Sequence, residues 1–485
     1  MPGGHARRWL RRGGVVVVVV VVAGLTGTGL YLRLHPGHRP SGPGSPSPVT
    51  APARVPPPAG LSLPPARKAP VVAPAAGGRH LDGRAVRRAV AGLLRSKKLG
   101  RHVVVDVAEL PGGRVVYRHG RGRVTPASTM KLLTTVAALH VLGPEHRFTT
   151  SVVATRSSRA VVLVGGGDPL LARSRSVPGG YPRRADLATL AARTARAVEA
   201  AGRHRVRLGY DTSLFTGPAA SPRWEPSYLP DDVVSPISPL WVDEGRESPG
   251  LAHRVHDPAA VAAAVFARAL QRHHVAVRGL PRPAAAPTTA EGGRTVARVL
   301  GAPLAEVVQH VLEVSDNEGA EVLARQVAVA EGRPVSFAGA AAAVKKVLTG
   351  LGVPLPGAVI LDGSGLSRHD RIAPGTLLAV VRTAADRRHP DLRSAVADLP
   401  VAGFTGSLAY RFDTGSPLGL GRVRAKTGTL TGVHGLAGTA TTRDGAVLEF
   451  VAVADRVKPV HTLDARVGID EVAAALAGCA CAATP

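Results

Sequence analysis

Three short strings place a hydroxyl, an amine or an amide where acyl transfer from an amide would use one: Ser128-Thr129-Met130-Lys131, Ser315-Asp316-Asn317 and Lys426-Thr427-Gly428. Such a reaction needs a nucleophile, an acceptor for its proton, a donor for the leaving amine and donors for the developing oxyanion. A serine three residues before a lysine brings hydroxyl and amine to one helix face. A helix dipole at Ser128 and a second cation nearby are expected to depress the pKa of Lys131, so that a neutral amine serves as base near pH 7. Lysine is scarce, with eight in a chain whose positive charge is carried by arginine, so lysines in these settings are not what basic composition supplies. Each string alone has a plainer reading. Ser-x-x-Lys arises by chance, Ser315 with Glu318 makes a helix capping box, and Lys426 fits a strand residue before a turn.

The elements that must position these groups are legible in outline. Leu132, Leu133, Val136 and Leu139 recur at helical spacing and predict a helix starting near Ser128. Residues 303–332 carry strong helical periodicity around the second string. Residues 422–454 alternate like two or three strands and carry the third, where Gly428 is expected to leave room for a ligand backbone. The folded region opens near Leu81 with a helix through Val86, Val90 and Leu94, followed by strands at 103–107 and 114–117 about the turn Pro111-Gly112-Gly113. Two strands at 148–166, a helix at 185–201, a strand at 205–210 and a helix at 257–272 suggest an inserted subdomain over 170–295. The glycines of Leu163–Pro169 lack a following Gly-Lys-Ser/Thr, which argues against a phosphate loop.

Arg7, Arg8, Arg11 and Arg12 precede an uncharged stretch containing the valine run Val15–Val22. Roughly 20 apolar residues at about 1.5 Å each span a bilayer core of about 30 Å, and in lipid only a helix satisfies the backbone of an isolated segment. The expectation is a cytoplasmic basic N-terminus (1–12), a single-pass signal anchor (13–34) and an extracytoplasmic remainder, with a cleaved signal peptide as the rival. Residues 35–78, rich in Pro, Ala, Ser and Gly, read as an extended spacer. The formal net charge of +27 suits anionic envelope surfaces, but no zinc-finger, RNP or basic-zipper pattern supports nucleic acid as a partner. The two cysteines, Cys479 and Cys481, are too few for a disulfide framework, wrongly spaced for a metal, and awkwardly close for a mutual disulfide.

In this order, the helix-borne Ser-x-x-Lys, the loop Ser-x-Asn and the strand Lys-Thr-Gly resemble the penicillin-recognising serine acyltransferases. Leu163–Pro169, Leu361–Arg368, Leu399–Gly403 and Ala425–Leu430 narrow the resemblance to the D-Ala-D-Ala carboxypeptidase/endopeptidase family known as peptidase S13, class C low-molecular-mass penicillin-binding proteins, over roughly residues 80–478. The resemblance implies an α/β (α+β) transpeptidase-like fold, an antiparallel sheet flanked by helices, with a catalytic domain in two parts (79–169 and 296–478), the insert between them and a C-terminal tail (479–485). It implies Ser128 as nucleophile, Lys131 as its proton acceptor and Ser315 as relay to the leaving D-alanine. Asn317 would bind a substrate amide, Lys426 would be a catalytic residue biasing the electrostatics of the cleft toward the terminal carboxylate, Thr427 or Thr429 would contact that carboxylate, and Gly428 would belong to the substrate-binding strand with them. The N–H groups of Ser128 and Thr429 would form the oxyanion hole. Peptidoglycan stem peptides are the implied substrate and β-lactams the implied inhibitors, with no metal or cofactor required. A β-lactamase or esterase on the same scaffold, and a catalytically silent envelope-binding protein, are the alternatives.

Overall fold

Residues 79–155, 159–176, 179–413 and 415–483 are described by a computed structural model. The expected basic N-terminus, membrane anchor and spacer lie outside these residues. Among the described residues no helix is long and apolar enough to cross a membrane.

The periodicity after Leu81 becomes helix α1 (Gly83–Val90), capped by Asp82, whose carboxylate accepts from the Arg84 N–H at 2.8 Å. Strands β1 (Val103–Glu109) and β2 (Val115–His119) form a hairpin, and α2 (Met130–Leu142) follows. The chain then builds β3 (Thr149–Thr155), β4 (Ala160–Val164), α3 (Leu187–Ala200), β5 (Arg205–Asp211), α4 (Pro258–Arg272), the short β6 (Ala276–Val277) and β7 (Arg282–Pro283), and β8 (Gly293–Leu300). It returns through α5 (Leu304–Glu313), α6 (Asn317–Ala330), α7 (Phe337–Gly350), α8 (Pro374–Ala385) and the one-turn α9 (Ser394–Ala397) to β9 (Val423–Leu430), β10 (Val433–Thr441), β11 (Val447–Ala454) and α10 (Thr462–Gly478).

The first sheet has the order β2-β1-β11-β10-β9 and is antiparallel throughout. Alternate residues serve opposite faces, as the period of two requires. Val105, Val107, Leu436 and Phe450 share a core with Val86, Val90, Ile469 and Val472 of α1 and α10. Val104, Ala437, Val451 and Val453 share another with α2 and α8. With both faces covered the strands are apolar on both sides, and each fully buried large side chain contributes about 1.5–3 kcal/mol. Helix α2 runs through the interior, with every residue from Met130 to Leu139 buried, so the lysine it carries is taken out of water.

The second sheet, order β6-β5-β4-β3-β8 with β7 beside β5, covers one side with α3 and α4. It runs from Thr149 to Leu300 and so reaches beyond 170–295 at both ends, because β3 and β4 pair with it before that point and β8 closes its edge after it. The glycines near Asp168 have a packing role. A Cβ on Gly166 would meet the Thr149 carbonyl at 1.8 Å, and the Gly166 and Gly167 carbonyls accept from Gln326 Nε2 at 2.7 and 3.1 Å. One expectation is corrected at the C-terminus. Cys479 and Cys481 are joined as a disulfide with Cα atoms 5.3 Å apart, within the usual span of such a bridge.

Candidate active site

Ser128 sits in a 3₁₀ turn, Ala127–Thr129, that leads directly into α2. Ala127 adopts φ +46°, a left-handed conformation costly for a residue with a Cβ. Two glycines hold this turn from either side. A Cβ on Gly365 would meet the Ala127 carbonyl at 1.9 Å, and one on Gly428 would meet the Pro126 carbonyl at 2.8 Å and Thr129 Cγ2 at 3.2 Å. Gly428 therefore makes room for the turn that carries Ser128, not for a ligand backbone as its place in the strand suggests.

The three strings converge. Lys131 Nζ donates to Ser128 Oγ at 2.9 Å, to Asn317 Oδ1 at 2.8 Å and to the Ser364 carbonyl at 2.9 Å. Its ammonium is brought down to about 8 by burial, against the pull of Asp316, Asp362, Glu321 and Glu318. Burial, in place of the expected helix dipole, is the main cause. Asn317 Nδ2 donates to the Val233 carbonyl at 3.3 Å, so the amide expected to bind substrate also orients the lysine. Ser315 has φ +60° and borders the cleft. The N-cap of α6 is Asp316, whose Oδ1 accepts from the Gly319 N–H at 3.0 Å, so Ser315 is not engaged in the capping box that Glu318 suggested.

Lys426 is fully buried and its ammonium lies well below the ordinary value, first through burial, then through the neighbouring Lys131 and Arg411 charges. Its Nζ donates to the Thr427 carbonyl at 3.2 Å and to Thr427 Oγ1 at 3.3 Å, while Thr427 Oγ1 donates to Ser407 Oγ at 3.0 Å. Strand β9 is the sheet edge. The Ala425 N–H leaves that edge to reach the Pro400 carbonyl at 3.0 Å. By strand alternation the N–H groups of Thr427 and Thr429 face the same edge. A cleft of about 370 Å³ opens there, lined by Ser128, Tyr228, Val233, Ser315, Asn317, Leu366, Thr427, Thr429, Leu430 and Thr431.

Several positioning residues escaped the sequence reading. Glu321 on α6 accepts from the Gly363 N–H at 3.1 Å and the Ser364 N–H at 2.8 Å, and so fixes the carbonyl that meets Lys131. Its carboxyl is pushed up to about 7 by burial and by Asp362. Asp362 closes its own loop through the N–H groups of Gly365 and Ser367, both at 2.7 Å, and takes the Trp224 indole N–H at 2.8 Å. The string Leu361–Arg368 was the available signal for this loop. Tyr228, which lines the cleft, and Ser407, which meets Thr427 from the short turn Gly406–Leu408, had none, since their segments carry no pattern of their own.

A neutral Lys131 would retain the bonds to Asn317 Oδ1 and the Ser364 carbonyl and present its lone pair to the Ser128 hydroxyl. With its value near 8, about a tenth of the chains hold that form at pH 7.

The D-Ala-D-Ala carboxypeptidase 3 (S13) family model matches residues 86–253 and 246–476. Carboxypeptidase DacB of Mycolicibacterium smegmatis is 36% identical over 408 residues, 82% of this chain and 85% of that protein. A D-alanyl-D-alanine carboxypeptidase of Actinomadura sp. is 28% identical over 418 residues, 69% of this chain and 74% of that one. The crystal structure of penicillin binding protein 4 from Haemophilus influenzae superposes with a TM-score of 0.64 at 23% identity, covering 79% of this chain and 99% of that chain, and so shares the fold. With most of its described length matched and its three strings gathered at one cleft, this chain belongs to the D-Ala-D-Ala carboxypeptidase 3 (S13) family.

Proposed function

We propose that this chain is a serine-type D-Ala-D-Ala carboxypeptidase that trims peptidoglycan stem peptides through an acyl-enzyme on Ser128, that it also cleaves D-Ala cross-links as an endopeptidase, and that β-lactams inhibit it. The observation that carries the reading is the 2.9 Å contact between Lys131 Nζ and Ser128 Oγ at the floor of a cleft open to solvent. Ser128 Oγ attacks the penultimate D-alanine carbonyl as its proton passes to Lys131. The oxyanion is met by the N–H groups of Ser128 and Thr429. The carbonyl carbon to nitrogen bond breaks as the departing D-alanine amine receives a proton relayed through the Ser315 hydroxyl. Water then attacks the ester, gives its proton to Lys131 and restores the Ser128 hydroxyl. The terminal carboxylate is contacted by Thr427 or Thr429, with Lys426 beside Thr427 biasing the cleft toward it.

Residues 13–34 would tether the enzyme to the outer face of the cytoplasmic membrane, with 35–78 as spacer; the motivating feature is the arginine-flanked valine run. Mass spectrometry of the full chain after penicillin exposure tests the catalytic reading. One added ligand mass on the peptide containing Ser128, absent from Ser128→Ala, is expected together with D-alanine release from a pentapeptide by the native chain alone. Equal D-alanine release by the Ser128→Ala chain rules the nucleophile out.

A further inference from the structure

Behind the Ser315–Asn317 loop three side chains converge that the hydrolytic steps leave unused. Glu244, His310 and Asp316 each offer one ligand atom, and these atoms all lie within 4.8 Å of one another. His310 Nε2 stands 3.4 Å from Glu244 Oε1 and 4.0 Å from Asp316 Oδ2. The three come from different elements: the loop following β5 and preceding α4, the last turn of α5, and the N-cap of α6.

Asp316 supplies a separate observation. Its side chain is 3% exposed, its Oδ1 caps α6, and its Oδ2 is buried without any hydrogen-bond partner while pointing toward His310. A buried carboxylate oxygen left without a donor or a cation is unfavourable, because the hydration it loses on burial is not replaced. A cation bound between the three groups would satisfy it.

We propose that Glu244, His310 and Asp316 form a zinc site, with water in the fourth position. One imidazole nitrogen with two carboxylate oxygens suits zinc better than magnesium or calcium, which take oxygen cages of six or more. Tetrahedral bonds of about 2.0–2.2 Å set neighbouring ligand atoms about 3.3–3.6 Å apart, so any pair now within 4.8 Å closes by roughly 1.2–1.5 Å at most. Arg246 stays on Glu244 Oε2 at 3.3 Å, and Arg184, at 3.5 Å from Oε1, moves toward solvent, to which its side chain is 26% exposed. The ion would tie the loop bearing Ser315 and Asn317 to the segment that covers the cleft, and it takes no part in bond making.

Metal analysis of the full chain tests the site. The protein is stripped with a chelator, dialysed against zinc chloride and assayed for zinc per chain, beside its thermal midpoint with and without zinc. The native chain is expected to retain about one zinc ion and to melt higher with it. His310→Ala and, independently, Glu244→Gln should each weaken retention by at least about tenfold, while circular dichroism without zinc matches the native chain. No retained zinc in the native chain, or equal retention in it and in either folded variant, overturns the proposal. The readout is metal content, so it stands apart from whether Ser128 is acylated.

Discussion

An exposed lysine keeps its proton past pH 10, whereas Lys131, enclosed by α2, α6 and the Ser364 carbonyl, holds its proton only to about 8. The rate of acylation by a fluorescent penicillin is therefore expected to climb from pH 6 to about 8 and level off above it, as the neutral amine fills. A flat profile across that range would sink Lys131 as base. The same depression has a consequence for stability. The unfolded chain binds the extra proton between about 8 and the ordinary 10.5, so the folded form gains stability as pH rises through that window. Lys131→Met should remove part of this rise in denaturant titrations at pH 8 and pH 10, the remainder belonging to Lys426, which is depressed in the same sense.

The turn bearing Ser128 is an element under constraint, gripped between a strand and a loop at the points where side chains are missing. Gly365 lies at φ +81° and its missing Cβ would overlap the Ala127 carbonyl. Gly365→Ala should cost at least about 2 kcal/mol in thermal or denaturant unfolding and slow acylation, because either the turn or the Asp362 loop must shift. Glu321→Ala should cost about 2–4 kcal/mol by leaving the Gly363 and Ser364 N–H groups without an acceptor. Glu321→Gln, which keeps one acceptor oxygen, should recover much of that loss along with the acylation rate. A failure of Glu321→Gln to recover either would show that the carboxylate charge, not its hydrogen bonding, matters there.

At the scale of the whole molecule, a long loop tied to the second sheet covers the catalytic cleft. Trp224 packs edge-on to Phe337 with ring centroids 5.1 Å apart and donates to Asp362, while Tyr228 and Val233 from the same stretch line the cleft. Trp224→Phe keeps the packing and deletes the hydrogen bond. It should cost about 1–2 kcal/mol and raise KM for a pentapeptide more than it lowers kcat, as steady-state D-alanine release would read. The sequence by itself determined which residues could do the chemistry and what kind of element each stands on. Side-chain type, the apolar period of α2 and the alternation of β9 to β11 are local properties of the chain. Only the tertiary structure decided that burial lowers Lys131, that Asn317 serves the lysine, that Gly428 faces the nucleophile turn, that Asp316 takes the cap from Ser315, and that Glu321, Asp362 and Ser407 position the rest. These depend on which groups from distant segments meet and how much water remains between them, and no local pattern encodes a desolvation or a contact between segments hundreds of residues apart.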